Sequence, residues 1–293
     1  RRMLSTIFRA LQSNEMEFSM KPRVTVIMPF RNSEKFLDEL IISILNQSYS
    51  DFEFIIINDA STDASDEFVK RYLGDRRIRY IKNRESIGIT KNLNNALAAV
   101  TTEFVVRMDG DDVSEPNRIK EQVDFMDKNP DVSVLGTWAT LINEEGLIIT
   151  EQRKLVDTKL IQKNIFIYNP VFHPSVIFRT RDVLAVGGYN ESYLNGQDMD
   201  LWIRMICEGY QITNLPNNLI RYRYHNDSTA HKARLNAIRD LKIRFGNMRR
   251  YIESVSPMIL IQVFIYFVFS YFVSGRFRQK IERFYSQKFF INK

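Results

Sequence analysis

Between residues 24 and 131 the chain alternates short apolar runs with segments whose apolar residues recur at helical spacing. That alternation leaves few folds open. Residues 24–28 (VTVIM) are a β-branched run that reads as a strand buried on both faces and ended by Pro29. "SEKFLDELIISILNQ" follows, with Phe36, Leu37, Leu40, Ile41, Ile44 and Leu45 on one helical face and Ser33 as the expected N-cap. The pairing recurs as "FEFIIIND" with "STDASDEFVKRYLG", "RIRYIKN" with "GITKNLNNALAAV", and "EFVVRMD" with "EPNRIKEQVDFMDKN". Strands alternating with helices predict a parallel, doubly wound α/β sheet. After about residue 132 the pattern changes to a hairpin ("SVLGTWATLIN–EEG–LIITEQR"), a strand ("HPSVIFR") and a helix ("DMDLWIRMICEGY"). The expected organisation is an extension over 1–22, one mixed α/β domain over 23–231 with halves at 23–131 and 132–231, and a tail over 232–293.

Composition matters chiefly through its distribution. The 293 residues carry a net charge of +6. Residues 232–293 hold 13 Lys and Arg against 3 acids, or +10, which leaves −4 for residues 1–231. The basicity belongs to the tail, so nucleic acid is not an expected partner of the domain. Within the tail, residues 257–273 (PMILIQVFIYFVFSYFV) carry no charge and have basic flanks. They are short for a spanning helix, which needs about 20 apolar residues. An interfacial or partly inserted helix, a true span, and a buried helix or dimer contact all remain open, and the flanks favour attraction to anionic lipid. The single cysteine, Cys207, excludes an internal disulfide and reads as core packing. "RRMLSTIFRALQSNEMEF" is basic and weakly amphipathic, with no apolar core long enough for export.

Chemistry is expected beyond the carboxyl ends of the parallel strands. Three polar features fall there: "PFRN" after the first strand, Asp59 after the second, and Asp109-Gly110-Asp111-Asp112 after the fourth. One reading of "DGDD" is a turn with helix caps, which accounts for one or two of the acids. The other is a hard divalent cation, Mg²⁺ or Mn²⁺, held by carboxylates together with substrate phosphates. No G-x-G-x-x-G follows the first strand and no G-x-x-x-x-G-K-[ST] occurs, which disfavours a dinucleotide dehydrogenase or a P-loop NTPase. A second acidic group lies in "NGQDMDLWIRM", where Asp198 and Asp200 read either as helix caps or, for Asp198, as a general base facing the cleft.

Taken in order, "VTVIMPFRNSEKFLDELIISILNQSYSDFEFIIINDASTD", "RESIGITKNLNNAL", "FVVRMDGDDVSEPNR", "HPSVIFRTRDVLAVGGYNE" and "GQDMDLWIRM" resemble a family 2 glycosyltransferase with the GT-A nucleotide-sugar fold. The resemblance covers about residues 23–231 and is closest to bacterial capsule, exopolysaccharide and lipopolysaccharide transferases. It implies a mixed, mostly parallel sheet flanked by helices, with a nucleotide-sugar half and an acceptor half. Pro29, Phe30, Asn32 and Asp59 would hold the nucleoside, with Asp59 accepting from a uracil ring. Lys91 and Asn92 would lie beside the donor. Asp109 and Gly110 would approach the ribose and diphosphate, and Asp111 would be the main metal ligand. Asp198 would be the catalytic base. His225 would close over the diphosphate or metal, or else sit in solvent. His173, Gln197 and Trp202 would mark the acceptor side, with a structural role equally open for His173. His231 is assigned to solvent, and Gly187-Gly188-Tyr189 is expected to make a turn.

The implied function is an inverting, non-processive transfer of a hexose from a nucleotide sugar, in first place a UDP-sugar, to a hydroxyl of a glycan or polyprenol-linked glycan. The implied setting is cell-surface polysaccharide synthesis at the cytoplasmic face of a bacterial membrane, with residues 232–293 on that surface and a homodimer left open. Members commonly carry Glu-Asp where this chain has Gln197-Asp198. The Q-x-x-R-W motif of processive synthases is missing, since Trp occurs only at 138 and 202. The rival readings are a metal-dependent nucleotidyltransferase, which would want a Gly-rich loop after the first strand, and a non-catalytic nucleotide-sugar-binding module.

Overall fold

The computed structural model describes residues 22–225 except 167 and 194, together with 242–244 and 246–247. The expectations for residues 1–21, for His231 and for the apolar run 257–273 lie outside the described residues. Four parallel strands form one half of the sheet: β1 (Val24–Phe30), β2 (Phe52–Asn58), β3 (Ile78–Lys82) and β4 (Phe104–Arg107), in the order β3-β2-β1-β4. Beyond β4 the sheet becomes mixed. β8 (Ile177–Arg179) pairs antiparallel with both β4 and β6 (Val132–Ile142). β9 (Gln211–Arg223) runs parallel to β6, while β5 (Val113–Ser114) and β7 (Ile148–Gln152) are antiparallel edges on β9 and β6.

Both faces of the sheet are covered, and alternate strand residues enter different cores, as a side-chain period of two requires. Val24, Val26, Met28, Phe54 and Ile56 meet helices α1 (Leu37–Leu45) and α4 (Arg118–Lys128). Ile27, Ile55 and Ile57 meet α3 (Ile89–Ala99) and α7 (Gln197–Cys207). The shorter helices are α2 (Ser65–Lys70), α5 (Thr158–Asn164) and α6 (Thr180–Ala185). Cys207 packs against the second core.

Two local expectations are corrected. β1 does not stop at Pro29 but runs to Phe30. Its pairing with β4 ends at Ile27–Arg107, so Pro29 lies where one side of the strand has no ladder, and a missing N–H is tolerated. Ser33 does not cap α1 with its side chain. Its carbonyl instead accepts from the N–H of Phe36 (2.9 Å) and of Leu37 (3.2 Å), tightening the first turn.

β9 was not expected, because "NLPNN" in its middle reads as a turn. The structure accommodates it with an irregularity. Leu215 pairs with Thr137 and Asn218 with Trp138, so Pro216 and Asn217 bulge out of the ladder. This bend lets the far end of β9 receive β5, which follows the acidic turn. The "DGDD" turn is thereby strung between β4 and the end of β9.

Candidate active site

The rim at the carboxyl ends of β1, β2 and β4 gathers the polar segments. Asn32, at φ 53°, ties the first rim loop to the second. Its Oδ1 accepts from the Thr62 N–H (2.9 Å), and its own N–H donates to Ser61 Oγ (3.0 Å). Asp59 is buried and already saturated: Oδ1 accepts from Asn83 Nδ2 and the Ile87 N–H, and Oδ2 from Ser86 Oγ and the Gly88 N–H. A base N–H reaching Asp59 would have to displace one of these donors. Burial alone would raise its pKa, but donors from Asn92, Ile87, Ser86 and Asn83 outweigh burial and hold it at about 2. The folded value lies below the unfolded one, so Asp59 stabilises the fold above roughly pH 4 and loses that contribution as pH falls toward 2. Asp59→Asn is expected to flatten this acid limb, as read from Tm against pH.

Lys91 is exposed, whereas Asn92 is buried. Asn92 accepts from Asn83 Nδ2 (2.8 Å) and donates to the Gly88 carbonyl (3.0 Å). Asn92 therefore shapes the loop around Asp59.

The three clustered acids have three different environments. Asp109 is paired with Arg107, whose side chain is buried. Asp111 Oδ2 meets His225 Nε2 at 2.7 Å, and the Asp111 carbonyl accepts from Arg223 Nε (2.8 Å). Asp112 is buried; Oδ1 accepts from the Arg223 N–H (2.8 Å), while Oδ2 has no partner. Burial and the neighbouring Asp109 push the pKa of Asp111 up, against the His225 hydrogen bond. Burial, then Asp109 and Asp111, push Asp112 well up. For His225, burial lowers the pKa, but hydrogen bonds to Asp111 and Glu144 prevail and raise it. Asp112 thus belongs to the fold as the anchor of β9, while Asp109 and Asp111 remain part-exposed at the rim.

Gly110 separates them for a steric reason. A Cβ there would lie 2.6 Å from Phe30 Cβ and 2.8 Å from Ser33 Oγ. Gly110→Ala is expected to cost about 1–3 kcal/mol through overpacking, measured as a lowered Tm.

The described residues contain no group of three or more His, Cys, Asp or Glu already set around a cation. The part-exposed Asp111 carboxylate is the kind of oxygen ligand a hard divalent ion takes alongside phosphate oxygens, and its hydrogen bond to His225 Nε2 (2.7 Å) would have to open for His225 to join it. Behind them, burial first and then Asp109 and Asp111 favour the neutral form of Asp112, whose Oδ2 has no partner.

On the opposite side, α7 begins at Gly196, in the left-handed region at φ 78°. Its first turn presents Asp198, whose Oδ2 accepts from Asn169 Nδ2 at 2.6 Å. Asp200 turns inward to Arg204 (2.8 Å). The Gly187-Gly188 turn ends α6, and Arg204 binds its Gly188 carbonyl at 2.6 Å. The turn projects the Tyr189 hydroxyl to His173 Nε2 (2.9 Å). That hydroxyl lies in the fields of Arg107, Asp198 and Asp109 together, and burial raises its pKa.

The three residues expected on the acceptor side, His173, Gln197 and Trp202, all lie in the interior. Trp202 is fully buried and belongs to the core. His173 is buried between Tyr189 and Trp202, where burial and Arg107 drive its pKa well down, so it is a neutral structural group. Gln197 is buried too, with Oε1 unpartnered. The residues that sequence reasoning passed over are Arg107, Asn169 and Arg223. Arg107 had a signal: a cation inside the apolar run "FVVRM" needs a buried counter-charge.

The profile of glycosyl transferase family 2 matches residues 25–187. The chain belongs to that family. The O-antigen biosynthesis glycosyltransferase WbnJ of Escherichia coli is 36% identical, over 74% of this chain and 86% of the relative. The E. coli UDP-Gal:alpha-D-GlcNAc-diphosphoundecaprenol beta-1,3-galactosyltransferase is 28% identical, over 82% of this chain and 88% of the relative. Among solved structures, the mannosyltransferase PcManGT of Pyrobaculum calidifontis, in complex with GDP-Man and Mn²⁺, superposes with a TM-score of 0.63 at 18% identity, covering 86% of this chain and 71% of that one. At that identity the likeness shows the fold, which is GT-A. The family 2 transferase is thus an enzyme whose expected fold is observed. Among the described residues no helix is long and apolar enough to cross a membrane.

Proposed function

We propose that this glycosyltransferase moves a hexose from a nucleotide diphosphate sugar to a hydroxyl of a growing cell-surface glycan, with inversion and one sugar at a time. The observation that carries this reading is a part-buried Asp198 held at the start of α7 by Asn169 (2.6 Å), in a GT-A fold whose β4 rim carries the part-exposed Asp109 and Asp111. Asp198, oriented by Asn169, takes the acceptor proton as the acceptor oxygen bonds to the anomeric carbon. The bond from that carbon to the diphosphate oxygen breaks, and the nucleoside diphosphate leaves. A divalent cation held by Asp111, with His225 beside it, would supply positive charge for the departing oxygens. The Asn32–Thr62 and Asp59 loops shape the nucleoside end, with Pro29 and Phe30 beneath it. Lys91 and Gly110 border the diphosphate.

The donor named for the E. coli galactosyltransferase supports a UDP-sugar, and its diphosphoundecaprenol acceptor supports a lipid-linked glycan. Such an acceptor, with the basic tail over residues 232–293, favours a place at the cytoplasmic face of the membrane. The expected result on a panel of nucleotide sugars with Mn²⁺ is release of free nucleoside diphosphate. Pyrophosphate would indicate a nucleotidyltransferase, and no turnover with tight binding would indicate a binding module.

A further inference from the structure

Residues 242–244 and 246–247 are remote in sequence from the rest of the described fold, yet they pack into it. Ile243 is fully buried and shares a core with Met199, Trp202 and Phe166. Its Cδ1 would lie 2.6 Å from a Cβ at Gly196, so glycine at the start of α7 makes the seat. Arg244 donates to the Phe166 carbonyl. Asn247 Nδ2 donates to Asp200 Oδ1 (2.9 Å), the acid whose other oxygen binds Arg204 and, through it, the Gly188 turn. The expected domain boundary at 231 thus sets apart a segment that is part of the domain core.

These contacts fall on both flanks of one functional pair. Arg244 holds the chain three residues before Asn169. Ile243 and Asn247 hold the helix start two residues either side of Asp198. We propose that residues 242–244 and 246–247 act as a strap that positions the Asn169–Asp198 hydrogen bond, with Asn247 and Ile243 as its positioning residues. The proposal rests on the reading of Asp198 as the base. A general base must be held within hydrogen-bond reach of its proton, and α7 begins at a glycine, which constrains the backbone least. The strap supplies the constraint.

The test uses the full-length protein with Asn247→Ala, Asn247→Ser and Asp198→Asn. Asn247→Ala is expected to speed amide exchange about tenfold at Phe166, Tyr168 and Asn169 and over 196–200, with β1–β4 unchanged. It should lower kcat for nucleoside diphosphate release by about tenfold while leaving UDP affinity within about twofold. Asn247→Ser, which keeps a donor, should recover part of both. Unchanged exchange in those two segments would overturn the strap, as would loss of UDP binding in step with kcat. If Asp198→Asn keeps full turnover, the base reading fails, and the exchange result still decides the strap separately.

Discussion

Asp198→Asn is expected to reduce turnover by about 10²–10⁴-fold, the range of a lost general base. Donor binding should be nearly unchanged, because the substitution is isosteric and the proposed role of Asp198 is toward the acceptor. Asn169 can still donate to the remaining side-chain oxygen, so the helix start should keep its place. The deficit should therefore appear in kcat, with the affinity for nucleoside diphosphate as control. Retention of near-normal transfer would return Asp198 to the role of a helix-terminal acid favoured by the dipole.

The second large effect concerns Asp111. Asp111→Ala removes the carboxylate that fits a cation and leaves His225 facing Glu144 alone. Even outer-shell changes at metal sites cost about 10–100-fold in metal affinity. Metal-supported donor binding is therefore expected to fall by at least about a hundredfold. The fold should tolerate the change, because the Asp111 carbonyl, rather than its side chain, accepts from Arg223, and Asp112 separately anchors β9. A variant that unfolds would contradict this separation, and Tm measures it.

Much of this was legible in the sequence because periodicity and strand-end acids are local signals. The four parallel strands, their helices and the shared rim followed from apolar runs that end in polar residues. Asp109 and Asp111 stand at the end of an apolar run, and Asp198 stands just before an amphipathic helical stretch. The rest depends on partners distant in the chain. Nothing near Trp202 or His173 says that they face each other in a core, because their neighbours come from different elements. β9 was hidden by a Pro-Asn-Asn interruption that only a bulge opposite β6 can absorb. Asp59 looked available for a ligand because its four donors lie in a loop 24–29 residues away. The tail looked independent because its charge differs from that of the domain, although Ile243 completes the domain core.

The central claim is that the clustered acids serve a cation and a diphosphate rather than a turn. The most direct measurement is calorimetric titration of the wild-type protein with UDP, first with saturating Mn²⁺ and then in excess chelator. Clear binding is expected with the metal and weak binding without it. Equal affinity in both conditions would contradict that claim and leave "DGDD" as a turn that only anchors β9.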